Sequence, residues 1–134
     1  MVLDTSIIIK WIKDSNEVDR DKALAIYKKL RNKEIAVIIP DLLLYELSNF
    51  GSRQQAETLT ACHDLINNLF DPELGIEILP ANEELVQYAM SIAHDLKISA
   101  YDATYLAIAE KFKTKLVTAD KKLVLAAPNL AISL

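Results

Sequence analysis

A run of five apolar residues, IAVII at 35–39, constrains the fold of this chain more than any other feature. The run has no polar face, as expected of a strand buried on both sides of a parallel sheet. Other apolar runs of strand length lie at 2–4, 75–79, 116–118 and 130–133, and stretches with helical spacing separate them. This alternation predicts an α/β fold with a mostly parallel sheet of about five strands flanked by helices.

Helical periodicity predicts five helices between these runs. They cover residues 19–31, 42–49, 52–70, 83–96 and 100–112. Gly51 is expected to end the second helix, and Ser52 to cap the third. The apolar stripes expected to face the core are Leu59, Cys62, Ile66 and Leu69 in the third helix, and Leu85, Ala89, Ala93 and Leu96 in the fourth. Because no long linker or repeat interrupts the pattern, we expect residues 1–134 to form a single domain.

Several function classes are excluded by the composition. With only Gly51 and Gly75, the chain contains neither a GxGxxG turn nor a GxxxxGK[ST] loop, and GxSxG, CxxC and HExxH are also absent. The net charge of −4 argues against binding nucleic acid by bulk electrostatics, although metal ions could supply local positive charge. The single Cys62 suits a reducing compartment, and the N-terminal apolar stretch is too short to cross a membrane. A cytoplasmic location without membrane association is therefore expected.

Four acidic residues occupy positions at one edge of the predicted sheet. Asp4 and Asp120 each end a strand, and Glu46 lies in the helix that follows the second strand. Asp102 opens the helix that leads into the fourth strand. The carboxyl ends of parallel strands meet at one edge, where α/β proteins bind ligands, so we expect these carboxylates to lie close together. Because like charges repel at such distances, the cluster predicts a divalent cation, and hard oxygen ligands suit Mg²⁺ or Mn²⁺.

Three of the four acids also have a purely structural interpretation. Asp4 and Asp120 could cap the helical segments that follow them. Asp102 lies three residues after Ser99, a spacing that resembles a capping box closed by Asp. Glu46 cannot be a cap, because it lies inside a helix among leucines. If its face of the helix is buried, its carboxylate needs a cation or a hydrogen-bond partner.

Three polar side chains are placed to support these acids. Ser6 closely follows Asp4, and Asn49 lies one helical turn after Glu46 on the same face. Thr118 lies two residues before the acid that ends the fourth strand, so on a strand both side chains point to the same side. These three residues could hold the carboxylates or a metal-bound water.

Four segments, in this order and spacing, resemble the PIN domain family, in particular the VapC-like toxin ribonucleases. They are VLDTSIIIKW, PDLLLYELSN, SAYDATYLAIAEKF and LVTAD, and the resemblance extends over essentially the whole chain. It implies that the metal-binding catalytic acids are Asp4, Glu46, Asp102 and Asp120, with polar supports from Ser6, Asn49 and Thr118. It also implies a PIN fold in which residues 17–32 and 52–70 form a protruding helical arm, a place for dimer or antitoxin contacts.

The resemblance implies a Mg²⁺- or Mn²⁺-dependent endoribonuclease that is the toxin of a toxin–antitoxin pair, with a cognate antitoxin and a homodimeric assembly. Metal ions would lower the pKa of a bound water, so that no protein nucleophile is needed. Lys10, Lys13 and Arg53 lie near the proposed edge and could contact RNA. Two alternatives stay open: a non-catalytic PIN-fold module that binds metal or RNA, and a phosphatase or phosphoacceptor domain, which fits the pattern poorly.

Overall fold

One parallel sheet forms the centre of the molecule in the computed structural model, which describes residues 1–12 and 18–134. Its strands are β1 Val2–Leu3, β2 Val37–Pro40, β3 Ile76–Leu79, β4 Leu116–Thr118 and β5 Ala131–Ser133, in the spatial order β3-β2-β1-β4-β5. Each neighbouring pair is parallel. The predicted α/β fold with five parallel strands is therefore confirmed.

Helices cover the sheet and connect its strands. Those in the described part of the chain are α1 Thr5–Ile8, α2 Arg20–Arg31, α3 Leu42–Gly51, α4 Ala56–Leu69, α5 Glu83–Leu96, α6 Ala100–Lys111 and α7 Lys121–Ala126, with a short 3₁₀ helix, Ile9–Trp11, after α1. The predicted arm corresponds to α2 and α4. Among the described helices, α6 contains the most buried residues, and it contacts β1, β2 and β4. Across the described residues, no helix combines the length and apolar character that a membrane crossing requires.

The junction between α3 and α4 differs from the prediction. Gly51 is the last residue of α3, as predicted, but Ser52 is the C-cap of α3 and does not cap α4, which begins only at Ala56. Gly51 is buried, and a Cβ atom on it would lie 3.1 Å from both Cβ and Sγ of Cys62. Glycine therefore allows the close approach of α3 and α4 at this position.

Two leucines that helical spacing assigned to the core are exposed. Leu59 lies in the first turn of α4, and Leu96 is the last residue of α5; the exposed fraction of each is 37%. At helix ends the neighbouring elements no longer cover the side chain, so periodicity alone overestimates burial there. Leu65, which the predicted stripe omitted, occupies a buried position in α4.

The topology brings two of the predicted acids to one place. From β1 the chain adds β2 and β3 on one side of the sheet, and β4 and β5 then extend the other side. The strand order therefore reverses between β1 and β4, and such a switch point opens a crevice at the carboxyl ends of the strands. Asp4 directly follows β1, and Asp120 lies two residues after the end of β4.

Candidate functional site

A hydrogen-bond network joins the ends of β1 and β4. Oδ2 of Asp4 accepts hydrogen bonds from Thr118 Oγ1 at 2.5 Å and from Ser6 Oγ at 2.8 Å. The Thr118 hydroxyl oxygen in turn accepts from the backbone N–H of Asp120 at 3.0 Å. Ser6 Oγ accepts from the N–H of Ala119 at 3.1 Å. The predicted supports Ser6 and Thr118 thus hold the Asp4 side chain and connect it to the segment that carries Asp120.

Glu46 accepts hydrogen bonds from two hydroxyl groups that the sequence did not predict as its partners. Its Oε2 accepts from Thr5 Oγ1 at 2.5 Å and from Tyr105 Oη at 2.6 Å, and these two hydroxyl oxygens lie 2.8 Å apart. Both donors are buried, with exposed fractions of 8% for Thr5 and 2% for Tyr105. Because Thr5 directly follows Asp4, this contact brings the Glu46 carboxylate beside the end of β1.

The Tyr105 phenol lies in a strongly negative setting. Burial raises its pKa far above the usual value, because the ionised form would lose its hydration. The hydrogen bond to Glu46 raises the pKa further, as do the negative charges of Glu46 and Asp4. Tyr105 therefore stays a neutral hydrogen-bond donor.

Asp102 lies at the start of α6, one helical turn before Tyr105. Ser99 Oγ donates to Oδ2 of Asp102 at 2.7 Å and accepts from its backbone N–H at 3.0 Å, so the predicted capping interaction is formed. Residues three apart share a helix face. Asp102 therefore shares a face of α6 with Tyr105, whose hydroxyl reaches Glu46.

The other two capping interactions are also present. Oδ1 of Asp120 accepts from the N–H groups of Lys122 and Leu123 at the start of α7. Oδ1 of Asp4 accepts from the Ser6 N–H at 3.4 Å. Among the described residues, no group of three or more His, Cys, Asp or Glu side chains is placed to hold a metal ion. The convergence of all four acids on one metal centre therefore stays a prediction.

Four predicted residues remain, namely Asn49, Arg53, Lys10 and Lys13. Asn49 is exposed, and its hydrogen bonds with Ser52 and Arg53 use its backbone carbonyl; among the described contacts none joins it to Glu46. Arg53 is exposed on the surface after α3. Lys10 is buried, and its ammonium group donates to the Val18 carbonyl at 2.7 Å, so this side chain does not belong to an exposed rim. Lys13 lies outside the described residues.

Comparison with known proteins agrees with this architecture. A family model described as the PIN domain matches residues 1–127. The structure is similar to VapBC2 from Rickettsia felis bound to a DNA fragment from their promoter, with 17% identity, a TM-score of 0.72, and coverage of 98% of this chain and 96% of that chain. A toxin–antitoxin complex from Klebsiella pneumoniae has 17% identity and a TM-score of 0.67, covering 98% of this chain and 94% of that chain. For VapC20 of Mycobacterium tuberculosis, a sarcin-ricin loop cleaving toxin, the values are 17% and 0.67, with 93% of each chain covered.

No curated protein matches the sequence. At these low identities, the similarity to solved structures concerns the fold.

Proposed function

Since this chain belongs to the PIN domain family, we propose that residues 1–134 form one nuclease domain, a metal-dependent endoribonuclease whose catalytic acids are Asp4, Glu46, Asp102 and Asp120. One observation carries the proposal: in three of these acids one carboxylate oxygen accepts hydrogen bonds, while the other accepts none within the described part of the chain. Oε1 of Glu46, Oδ1 of Asp102 and Oδ2 of Asp120 accept no hydrogen bond from the described residues. A carboxylate held in this way is preorganised to offer its free oxygen to a hard cation.

The charges around these acids support a cation as the missing partner. The ion pairs within the described part of the chain involve other residues, and none of them neutralises one of the four acids. Neighbouring carboxylates without a counter-charge repel each other, and a divalent ion removes that repulsion. The donors around the site are carboxylate and hydroxyl oxygens, a set that suits Mg²⁺ or Mn²⁺ better than a softer metal.

The protein contributes binding and orientation to the proposed reaction. The bound metal would supply Lewis-acid activation of a phosphodiester and of a water molecule. Ser6 and Thr118 hold Asp4, Thr5 and Tyr105 hold Glu46, and Ser99 holds Asp102, so three of the four acids have hydroxyl partners on one oxygen. No protein nucleophile is required by this chemistry.

The substrate is proposed to be RNA, and the protein to be the toxin of a toxin–antitoxin pair in the cytoplasm. The resemblance to toxin ribonucleases supports this, as does the structural similarity to a toxin that cleaves the sarcin-ricin loop and to a toxin–antitoxin complex. An antitoxin that blocks the site is expected to place an Arg or Lys among the carboxylates, since an acidic site attracts cations. A complex structure in which the four acids stay uncovered would contradict that expectation.

We propose that the protein forms a homodimer through an exposed apolar surface on α3, α5 and α6. Tyr45, Val86, Met90 and Tyr101 are each more than half exposed. Three of them border a cavity of about 450 Å³ in which Asp41 is the single charged lining residue. Exposed apolar clusters mark interaction sites, and Tyr and Met are enriched in protein interfaces. The lack of Lys and Arg in this lining favours a second copy of the chain over RNA as the occupant.

The experiment that tests the function is cleavage of a mixed, labelled RNA pool by purified protein with Mg²⁺ or Mn²⁺. Matched reactions contain EDTA or the Asp102→Asn variant. Discrete products that are lost in both controls would support a metal-dependent endonuclease. Folded protein that binds Mn²⁺ without cleaving any RNA would favour the non-catalytic binding module. Release of inorganic phosphate from a phosphomonoester would favour the phosphatase alternative.

A further inference from the structure

The two hydroxyl groups that hold Glu46 belong to separate parts of the chain. Thr5 lies at the start of α1, Tyr105 in the middle of α6, and Glu46 in α3. The sequence separations are 41 residues for the Thr5–Glu46 contact and 59 for the Tyr105–Glu46 contact. Both hydroxyls meet the same carboxylate oxygen, Oε2, and they also contact each other at 2.8 Å.

We infer that Tyr105 and Thr5 are positioning residues, which set the Glu46 carboxylate so that Oε2 is held by protein and Oε1 is presented to the metal ion. This inference rests on the proposed metal-dependent function. Two donors from different elements converge on one oxygen, so rotation of the carboxylate would break both hydrogen bonds at once. The Glu46 carboxylate would then be oriented for metal binding before the ion binds.

The position of Tyr105 supports a role for its hydroxyl beyond packing. The four residues that follow it in α6, Leu106, Ala107, Ile108 and Ala109, are all buried and apolar, and a phenylalanine ring would fill the same space. A buried hydroxyl is unfavourable unless it has a partner, and the partners here are Glu46 and Thr5.

The test measures Mn²⁺ binding by calorimetry, independently of RNA cleavage. Tyr105→Phe removes the hydroxyl and keeps the ring, while Thr5→Val removes the second hydroxyl at similar volume. Removing a partner that orients a metal ligand typically weakens metal affinity 10- to 100-fold, so we expect each variant to raise the Kd for Mn²⁺ by about that factor. Thr5→Ser retains a hydroxyl and is expected to bind Mn²⁺ within about threefold of the wild type, since the orienting hydrogen bond is kept.

Tyr88→Phe is the matched control. The Tyr88 hydroxyl also donates to a glutamate, Glu110, but on the exposed surface between α5 and α6. This variant loses a tyrosine–glutamate hydrogen bond outside the site and should leave the Kd for Mn²⁺ unchanged. Thermal melts and near-ultraviolet circular dichroism of the metal-free proteins confirm that each variant is folded.

The outcomes separate this inference from the proposed function. If the wild type binds Mn²⁺ and folded Tyr105→Phe and Thr5→Val bind it equally well, the positioning role is wrong and the metal-dependent function stands. If the wild type binds no Mn²⁺, the proposed function fails and the inference fails with it. Should Tyr105→Phe not fold, the comparison of Thr5→Val with Thr5→Ser decides, because weaker binding by valine with recovery by serine requires the hydroxyl.

Discussion

Replacing Asp102 by Asn separates a structural role of this residue from a catalytic one. Asn keeps the shape of the side chain and an oxygen that can accept the hydrogen bond from Ser99 Oγ, so the change mainly removes a negative charge. A negative charge in the first turn of a helix is worth about 0.3–1 kcal/mol, and relief of repulsion in the metal-free site acts in the opposite direction. We therefore expect the free energy of unfolding without metal to change by less than about 1 kcal/mol, a shift in Tm of less than about 4 °C at this chain length. RNA cleavage should be abolished.

Ser99→Ala is the complementary variant. Ser99 makes both hydrogen bonds of the capping interaction, one to the Asp102 carboxylate and one from its N–H, and alanine removes both while the carboxylate remains. Loss of a helix N-cap costs about 1 kcal/mol, so the Tm should fall by about 4 °C. Cleavage should be reduced and not abolished, because the charged ligand is still present.

Cleavage of labelled RNA and thermal melts in EDTA measure the two properties on the same protein preparations. The reasoning is refuted if Asp102→Asn cleaves RNA like the wild type. A Tm loss for Asp102→Asn that equals or exceeds the loss for Ser99→Ala would show that Asp102 acts mainly as part of the helix cap.

Four further predictions follow from the structure. Gly51→Ala places a methyl group 3.1 Å from Cys62, and this overpacking should cost about 1–3 kcal/mol, against which the higher helix propensity of alanine offsets about 0.5–1 kcal/mol, so the urea midpoint should fall modestly. Mn²⁺ at about 100 times its Kd should stabilise the wild type by about 2.7 kcal/mol in thermal melts, and the stabilisation should be much smaller for Asp102→Asn. Burial raises the pKa of the Cys62 thiol, so the thiol should react with a thiol reagent far more slowly in the folded protein than in urea. Because an exposed cysteine in the unfolded chain ionises first, the free energy of unfolding should decrease as the pH rises above the pKa of an exposed cysteine. Met90→Asp should give a folded monomer in sedimentation experiments, because it places a charge in the proposed apolar interface; a dimer would place the interface elsewhere.

The sequence alone was sufficient for the fold class. The apolar run at 35–39 predicted a buried parallel strand, and part of it forms β2, which pairs with β1 on one side and β3 on the other. The Ser99–Asp102 spacing predicted a capping interaction that the structure contains. These features could be predicted because burial pattern and capping depend on residues a few positions apart, where the geometry of a strand or a helix already sets the distances.

The close packing of the candidate site was decided by the tertiary structure. Thr5 and Tyr105 hold Glu46 although they are 100 residues apart in the chain, and no local pattern marks either residue as its partner. Gly51 follows the same principle, since its role depends on Cys62 of the next helix. The sequence therefore determined the alternation of strands and helices and the positions of Asp4 and Asp120 at the ends of β1 and β4. Which hydroxyl meets which carboxylate depended on how separate helices pack against the sheet, and a one-dimensional pattern does not specify contacts between distant segments.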